Sequence, residues 1–546
     1  MIIKYKDKEI ELKENAKISD ALKSEIENSE YQVIAAKFNN EYKNLQDELD
    51  EDGTIELIDI SSAEGMKVYK RTLVYIMGKA FQECYPEALI TVNYQLNNAM
   101  FCDIDNMKVT DEIVKTAKNK MKEIIEKDLE IKKVVMTREE AKDFYEKENT
   151  SRGRLQLDLK NNQEIYMYFC ENYFNYCYGT LANRTSCTKV FEMEKYSDGF
   201  LIRFPSSKNP NILPKYQETK KLSWALNEYD DIHKLLNLNT VYKLNTAIKE
   251  KRIQDIIMLD EALHEKKIAQ IADNIVKNRK VKMILIAGPS SSGKTTFAKR
   301  LGIQLRLNGL KPVTISVDNY FVERNQNPKD ENGEYDFECL EAIDLNLFNE
   351  HLVKLLNGEE IDMPEFDFVV GTKRYNGKKM SLAKDEVLVI EGIHCLNDKL
   401  TSKIPKDQKY KIYISALTVL KMDYYNRIST TDTRLIRRIA RDNKFRGYSA
   451  KHTIATWHKV NKGEVSNIFP FQEEADSIFN TSLIYELAAL KDDVMPLLEE
   501  IDNTNSEYAE AQRLINMLKY FESIPKSKVP TNSLLREFLG GSVFGD

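Results

Sequence analysis

A chain of 546 residues is too long for one ordinary hydrophobic core, so three or four folded units are expected. With 42% hydrophobic and 30% charged residues it is globular rather than disordered in composition, and a net charge of −6 excludes a global basic field for gripping nucleic acid. No run approaches the roughly 18 apolar residues that span a bilayer, and the opening MIIKYKDKEIEL is unlike a secretory leader, so a cytoplasmic protein with no membrane partner is expected.

In chain order, residues 1–61 predict a small α+β unit. Ile2–Tyr5 and Glu9–Leu12 pair as a hairpin around Asp7, Ile18–Ile26 has helical spacing, and Val33–Phe38 and Thr54–Ile60 are strand-like, which is a β-grasp pattern. Residues 62–205 mix the two signals: an amphipathic helix over Arg71–Cys84, a charged helix from Thr110 to Leu129 with Thr110 as N-cap, and a hairpin over Lys189–Phe204 turning at Asp198-Gly199. Proline-rich Pro205–Pro214 marks a linker, so 206–279 is a linker and helical segment. An α/β region follows over 280–500, and 501–546 holds a last helix and a polar tail ending GGSVFGD. Seven scattered cysteines without a CxxC pair predict reduced thiols.

The sharpest signal is Gly288-Pro-Ser-Ser-Ser-Gly-Lys-Thr295, which fits G-x-x-x-x-G-K-[ST] and lies between a buried-strand run, Met283–Ala287, and a helical stretch, Thr295–Leu307. Glycines let backbone N–H groups close on phosphate oxygens at the positive end of a helix. Gly288, Ser290, Ser291, Ser292, Gly293, Lys294, Thr295 and Thr296 are therefore the expected ATP cradle. Within it Lys294 is a catalytic cation on the β/γ phosphates and Thr295 a Mg²⁺ ligand. No Asn-Lys-x-Asp specificity motif points to GTP; a mechanical ATPase stays open from the loop alone.

Downstream, the strand Pro312–Val317 runs into Asp318, placed to take the proton of an attacking hydroxyl; the plain alternative is a turn-capping Asp. A second apolar run, Val387–Ile390, ends at Glu391, a candidate orienter of Mg²⁺ or its water. Arg434, Arg437, Arg438 and Arg441 recur at three- and four-residue steps on one helical face, which is either a solvated surface or a mobile lid that neutralises transferring phosphate.

GPSSSGKTT (288–296), SVDNY (316–320), YDFECLEAID (335–344), PEFDF (364–368), VIEGI (389–393) and DTRLIRRIARD (432–442) together resemble the uridine kinase and phosphoribulokinase family. The resemblance implies an α/β P-loop kinase with a parallel sheet, ATP with Mg²⁺ as cofactor, and Asp318 as base. It also implies Tyr320, Asp336, Phe366, Arg374 and Arg434 near the acceptor, Arg437 in the catalytic set, and Arg438 and Arg441 on ATP. One departure stands out: uridine–cytidine kinases carry a base-holding histidine after the aromatic-Asp-Phe motif, whereas this chain continues Val369-Val370-Gly371-Thr372-Lys373-Arg374, and Phe366 replaces the usual tyrosine.

The front half is similar to a different family. Residues 1–61 resemble a TGS domain and 62–205 the editing-type second domain of threonyl-tRNA synthetases, through YIMGKAFQECYP (75–86) and YCYGTLANRTSCTKVF (176–191). Where the synthetase holds HxxxH and CxxxH, this chain has Tyr75, Lys79, Cys177 and Leu181, so a zinc or deacylation site is not expected there. RNA, a regulatory ligand, homo-oligomer assembly or a purely structural appendage is the alternative use of this half. The reading is phosphorylation of a pyrimidine nucleoside 5′-hydroxyl, with another small alcohol as acceptor, or an RNA-binding nucleotide switch, as rivals.

Overall fold

The computed structural model describes residues 1–147, 165–329, 333, 335–367 and 370–545. Phe368, the last residue of the 364–368 motif, and Val369 after it lie outside the described residues.

At the N-terminus a five-stranded sheet runs in the order Lys8–Glu11, Ile2–Tyr5, Gly53–Asp59, Val33–Phe38, Glu41–Lys43. Its central pair, Ile2–Tyr5 and Gly53–Asp59, is parallel and the other pairs are antiparallel. Ile3, Ile18, Val33, Leu49 and Ile55 form its small core. The expected single helix is split at Leu22, which leaves the helical region between Ile18–Ala21 and Lys23–Glu27.

The next helix, Ala63–Cys84, starts a full two turns before the sequence expectation. Ser62 caps it by accepting from the Gly65 N–H, and Gly65 is required because a Cβ there would stand 1.9 Å from the Asp59 carbonyl oxygen. The helix lies on an antiparallel four-stranded sheet, ordered Glu192–Tyr196, Gly199–Arg203, Ala99–Ile104, Ile90–Leu96, with Phe81 stacked on Phe200 at 5.6 Å. Thr110 caps the helix Asp111–Glu126 as expected.

The segment after the linker folds as three helices, Lys220–Leu235, Val241–Lys249 and Ile253–Lys277. The third packs Ile257 and Ile268 into the same core as Phe297 and Leu301. Arg300, almost wholly buried, reaches from that core to Glu261 (3.4 Å) and Glu265 (2.8 Å) of the third helix.

The C-terminal half carries a five-stranded, all-parallel sheet in the order Lys311–Ser316, Glu386–Glu391, Met283–Ala287, Lys409–Ser415, Ser477–Asn480. Apolar side chains cover both faces, as a parallel sheet flanked by helices requires. Helices Glu486–Glu499 and Tyr508–Leu518 follow, and the chain then returns toward the sheet through the short helix Arg536–Leu539. Among the described residues no helix is long and apolar enough to cross a membrane.

Candidate functional site

The strand Met283–Ala287 is buried along its whole length and runs directly into Gly288–Thr296. Ser291 at φ +58 and Gly293 at φ +85 reverse the loop, the alternation that turns successive N–H groups toward one anion above the first turn of the helix Lys294–Leu307. Neither glycine of the motif has room for a side chain. A Cβ on Gly288 would meet the Ile414 carbonyl oxygen at 2.2 Å, and one on Gly293 would meet Leu534 at 2.4 Å. Lys294 folds back over the loop, its Nζ donating to the carbonyls of Gly288 (2.9 Å) and Pro289 (3.3 Å).

Two carboxylates stand at the carboxyl ends of neighbouring strands. Glu391 ends its strand opposite Ser316, and Asp318 follows two residues later on the adjacent one. The surrounding protein raises both carboxyls above their ordinary values, opposed in each case by the positive charge of Lys294. Asp318 nevertheless remains exposed to solvent. Thr295 Oγ1 lies 3.4 and 3.5 Å from the two Glu391 oxygens. A hydroxyl facing a carboxylate is a hard oxygen set that fits a small divalent cation such as Mg²⁺.

The arginine face turns inward. Arg434 and Arg437, expected as contacts to acceptor and phosphate, are 1% and 0% exposed on the helix Thr430–Arg446. Arg434 forks onto Glu464 (Nη2 to Oε2 2.7 Å) and donates to the Ser290 carbonyl. Arg437 donates to Glu486 (2.6 Å), to the Thr481 carbonyl (2.7 Å) and to the Ser291 carbonyl (3.4 Å). A mobile lid would leave these groups free; here distant carboxylates hold them under the loop. Arg438 remains nearer the surface, with Nη1 2.9 Å from the Ser290 hydroxyl, while Arg441 pairs with Asp442 at 2.8 Å.

On the acceptor side the expected residues separate. Tyr320 is fully buried and its hydroxyl meets His351 Nδ1 at 3.1 Å, so it faces the core beneath the cleft rather than the cleft. Phe366 is buried against Phe321 at 5.6 Å. Arg374 is half-exposed and bound to Asp367 at 2.9 Å. Asp336 is half-buried, accepting from the Glu338 N–H at 3.0 Å. His394 lies buried under that loop, and burial pushes its pKa down to about 4, which keeps it neutral.

Sequence reasoning missed the C-terminal tail. Glu537 Oε2 accepts from both the backbone N–H (3.2 Å) and the hydroxyl (2.8 Å) of Thr296, two donors of the phosphate loop. Leu534 fills the space beside Gly293, Phe538 lies 5.0 Å from the Arg437 guanidinium, and the Lys444 ammonium bonds the Leu539 carbonyl. Glu464 was missed too: besides holding Arg434, it accepts from the Ser290 N–H at 2.9 Å.

In the front half the four synthetase-like positions build no open site. The Tyr75 hydroxyl donates to the Tyr168 carbonyl at 2.9 Å, Lys79 is buried between Glu83 (2.8 Å) and Glu171 (3.0 Å), and Cys177 and Leu181 are buried. Burial pushes the Cys177 thiol up to about 11, which keeps it protonated and unreactive.

Residues 283–484 match the model of the Phosphoribulokinase / Uridine kinase family. The chain is 28% identical over 197 residues to a uridine kinase of Deinococcus deserti, covering 36% of this chain and 86% of that protein. It is also 28% identical over 171 residues to a threonine–tRNA ligase of Ehrlichia chaffeensis, covering 31% of this chain and 27% of the ligase. With a threonine–tRNA ligase of Chlamydia caviae it shares 25% identity over 229 residues, 41% of this chain and 35% of the ligase. The chain thus spans only about a quarter to a third of the length of these ligases.

Proposed function

We propose that this chain is an ATP-dependent kinase that phosphorylates a small hydroxyl acceptor, most directly the 5′-hydroxyl of uridine or cytidine. The observation that carries the reading is the convergence of Lys294, Asp318, Thr295 and Glu391 at the carboxyl end of a parallel sheet, around one phosphate loop. The loop N–H groups and Lys294 hold the triphosphate, and Arg438 meets it from the side. Arg434 and Arg437 act as positioning residues through the carbonyls of Ser290 and Ser291. Asp318 accepts the acceptor proton as its oxygen attacks the γ-phosphate; its raised pKa makes it a stronger base than an ordinary carboxylate. Thr295 and Glu391 would hold Mg²⁺, which supplies charge neutralisation to the phosphates.

A second acceptor class is favoured by a specific observation. Phe366 packs into Phe321 and Arg374 is tied to Asp367, so neither offers a free polar handle to a base; a sugar or other small alcohol needs none. Both readings are tested by ADP release from Mg·ATP against uridine, cytidine, purine nucleosides, sugars and pantothenate. Uridine- or cytidine-dependent turnover that disappears in Asp318→Asn supports the nucleoside reading. Stimulation by a sugar alone moves the acceptor class, and no stimulation by any acceptor refutes the kinase.

A further inference from the structure

A second site is formed where the front half meets the start of the arginine helix. The helix Ala63–Cys84, the linker around Tyr216 and the first turn of Thr430–Arg446 enclose a cavity of about 900 Å³, large enough for a nucleotide. None of the described residues that line it belongs to the phosphate loop.

Its charge is unbalanced. Of the nearby carboxylates, both oxygens of Asp432 are taken by Arg513 (2.7 and 2.9 Å), and Glu510 is shared between Arg513 (2.7 Å) and Lys67 (3.5 Å). Lys70, Arg71 and Arg427 are left with neutral partners. Lys70 and Arg427 both donate to the one Gln95 amide oxygen, each at 3.3 Å, and Lys70 also lies 5.3 Å from the Phe204 ring. Arg71 donates to the Thr180 carbonyl at 2.9 Å.

Burial, followed by the charges of Arg427, Lys67 and Arg71, pushes the Lys70 ammonium down to about 7; burial also lowers Arg427. Lys70, Arg71 and Arg427 gather in a partly desolvated cavity where the nearby Asp432, already bonded to Arg513, offsets Lys70 and Arg427 only in part, so an added anion stabilises them. The first turn of a 17-residue helix lines the same space with Thr430 and Thr431, its Asp432 being held by Arg513. Tyr178 and Tyr216 supply flat apolar faces.

We propose that this cavity binds a phosphorylated small molecule of nucleotide size, its phosphates on Lys70, Arg71 and Arg427 and its organic part against Tyr178 and Tyr216. The helix that begins at this ligand carries Arg434 and Arg437 to the Ser290 and Ser291 carbonyls, so occupancy is transmitted to the phosphate loop.

The test is isothermal titration of the full chain with inorganic tripolyphosphate, ATP and UTP, in a Lys294→Ala background that disables the phosphate loop. One saturable site for at least one probe is expected to remain. It should weaken at least tenfold in Lys70→Gln/Arg427→Gln and survive in Lys70→Arg, which keeps the charge and so separates a lost contact from a lost fold. Removing a desolvated amine whose hydrogen-bond partner is neutral should leave the unfolding temperature of the ligand-free Lys70→Gln chain unchanged or higher. Loss of all binding with Lys294→Ala alone, or unchanged affinity in the double variant, overturns the proposal. So does nanomolar binding of a transfer RNA transcript through these residues while no small phosphorylated probe binds.

Discussion

The perturbation that tests the site most directly is Glu537→Ala. The Glu537 carboxylate takes the N–H and the hydroxyl of Thr296, donors at the mouth of the loop that a bound triphosphate would use. Phosphate and carboxylate cannot both hold them, so ATP binding must displace the tail. A hydrogen bond to a charged group contributes about 1.5–3 kcal/mol. Displacing Glu537 should therefore weaken ATP binding by a comparable amount, or roughly 10- to 150-fold at ~1.4 kcal/mol per tenfold. With the competing carboxylate removed, Mg·ATP affinity measured by titration calorimetry without acceptor should rise at least about tenfold. Glu537→Gln should give a smaller gain, because the amide oxygen still accepts one bond without the charge. Hydrogen exchange over residues 534–541 should accelerate when ATP is added to the unmodified chain. Unchanged or weaker ATP affinity in Glu537→Ala refutes the reasoning and makes the tail part of the nucleotide site instead of an occupant of it.

Breaking the Arg437–Glu486 pair, both members being essentially unexposed, should cost about 3–5 kcal/mol in denaturant unfolding for Arg437→Met, because Glu486 is left as a buried lone charge. The double variant with Glu486→Leu should lose clearly less than the sum of the two singles. The pH profile of kcat/KM should show an acid limb above the ordinary aspartate value of about 3.9, since burial raises Asp318 and the base works only when ionised. Activity should rise with pH through that limb, and Asp318→Asn should remove the limb and lower turnover by roughly 10²–10⁴-fold. A fragment of residues 280–500 should fail to unfold cooperatively, whereas 206–546 should do so: the shorter piece leaves buried Arg300 without Glu261 and Glu265 and strips Ile257 and Ile268 from Phe297.

The placement of the phosphate loop, Asp318 and Glu391 at strand ends was legible in the sequence because each is local. A buried strand ends, a polar residue follows, and parallel pairing brings the ends together whatever the rest of the chain does. The arginines were legible as a face but not as to which way it points. Spacing puts Arg434 and Arg437 side by side, yet only Glu464 and Glu486, 30 and 49 residues further on, make burial of that charge affordable. Tyr320 illustrates the same limit at shorter range. Its place beside Asp318 suggests the cleft, but His351 and Phe348 on a later helix draw the ring into the core. The tail was the least legible part. Its glycines and polar composition match an unattached end, while its docking depends on Leu534 meeting Gly293 across 241 residues of chain.

These long-range contacts share one target. The arginine helix holds the carbonyls of Ser290 and Ser291, Glu464 holds the Ser290 N–H, and the tail holds Thr296. The front half reaches the same machinery: the Tyr424 carbonyl accepts from the Val92 N–H at 2.8 Å, and Gln95 binds Arg427, just ahead of the helix that starts at Thr430. Tyr176 is joined through its hydroxyl to Tyr520, in the segment that leads into the tail. A displacement of the front half must therefore strain either the arginine helix or the path to Glu537, and both act on the loop that would hold the triphosphate. The cavity proposed above to bind a phosphorylated ligand lies between these attachments, so such a ligand would act on the front half and the arginine helix together.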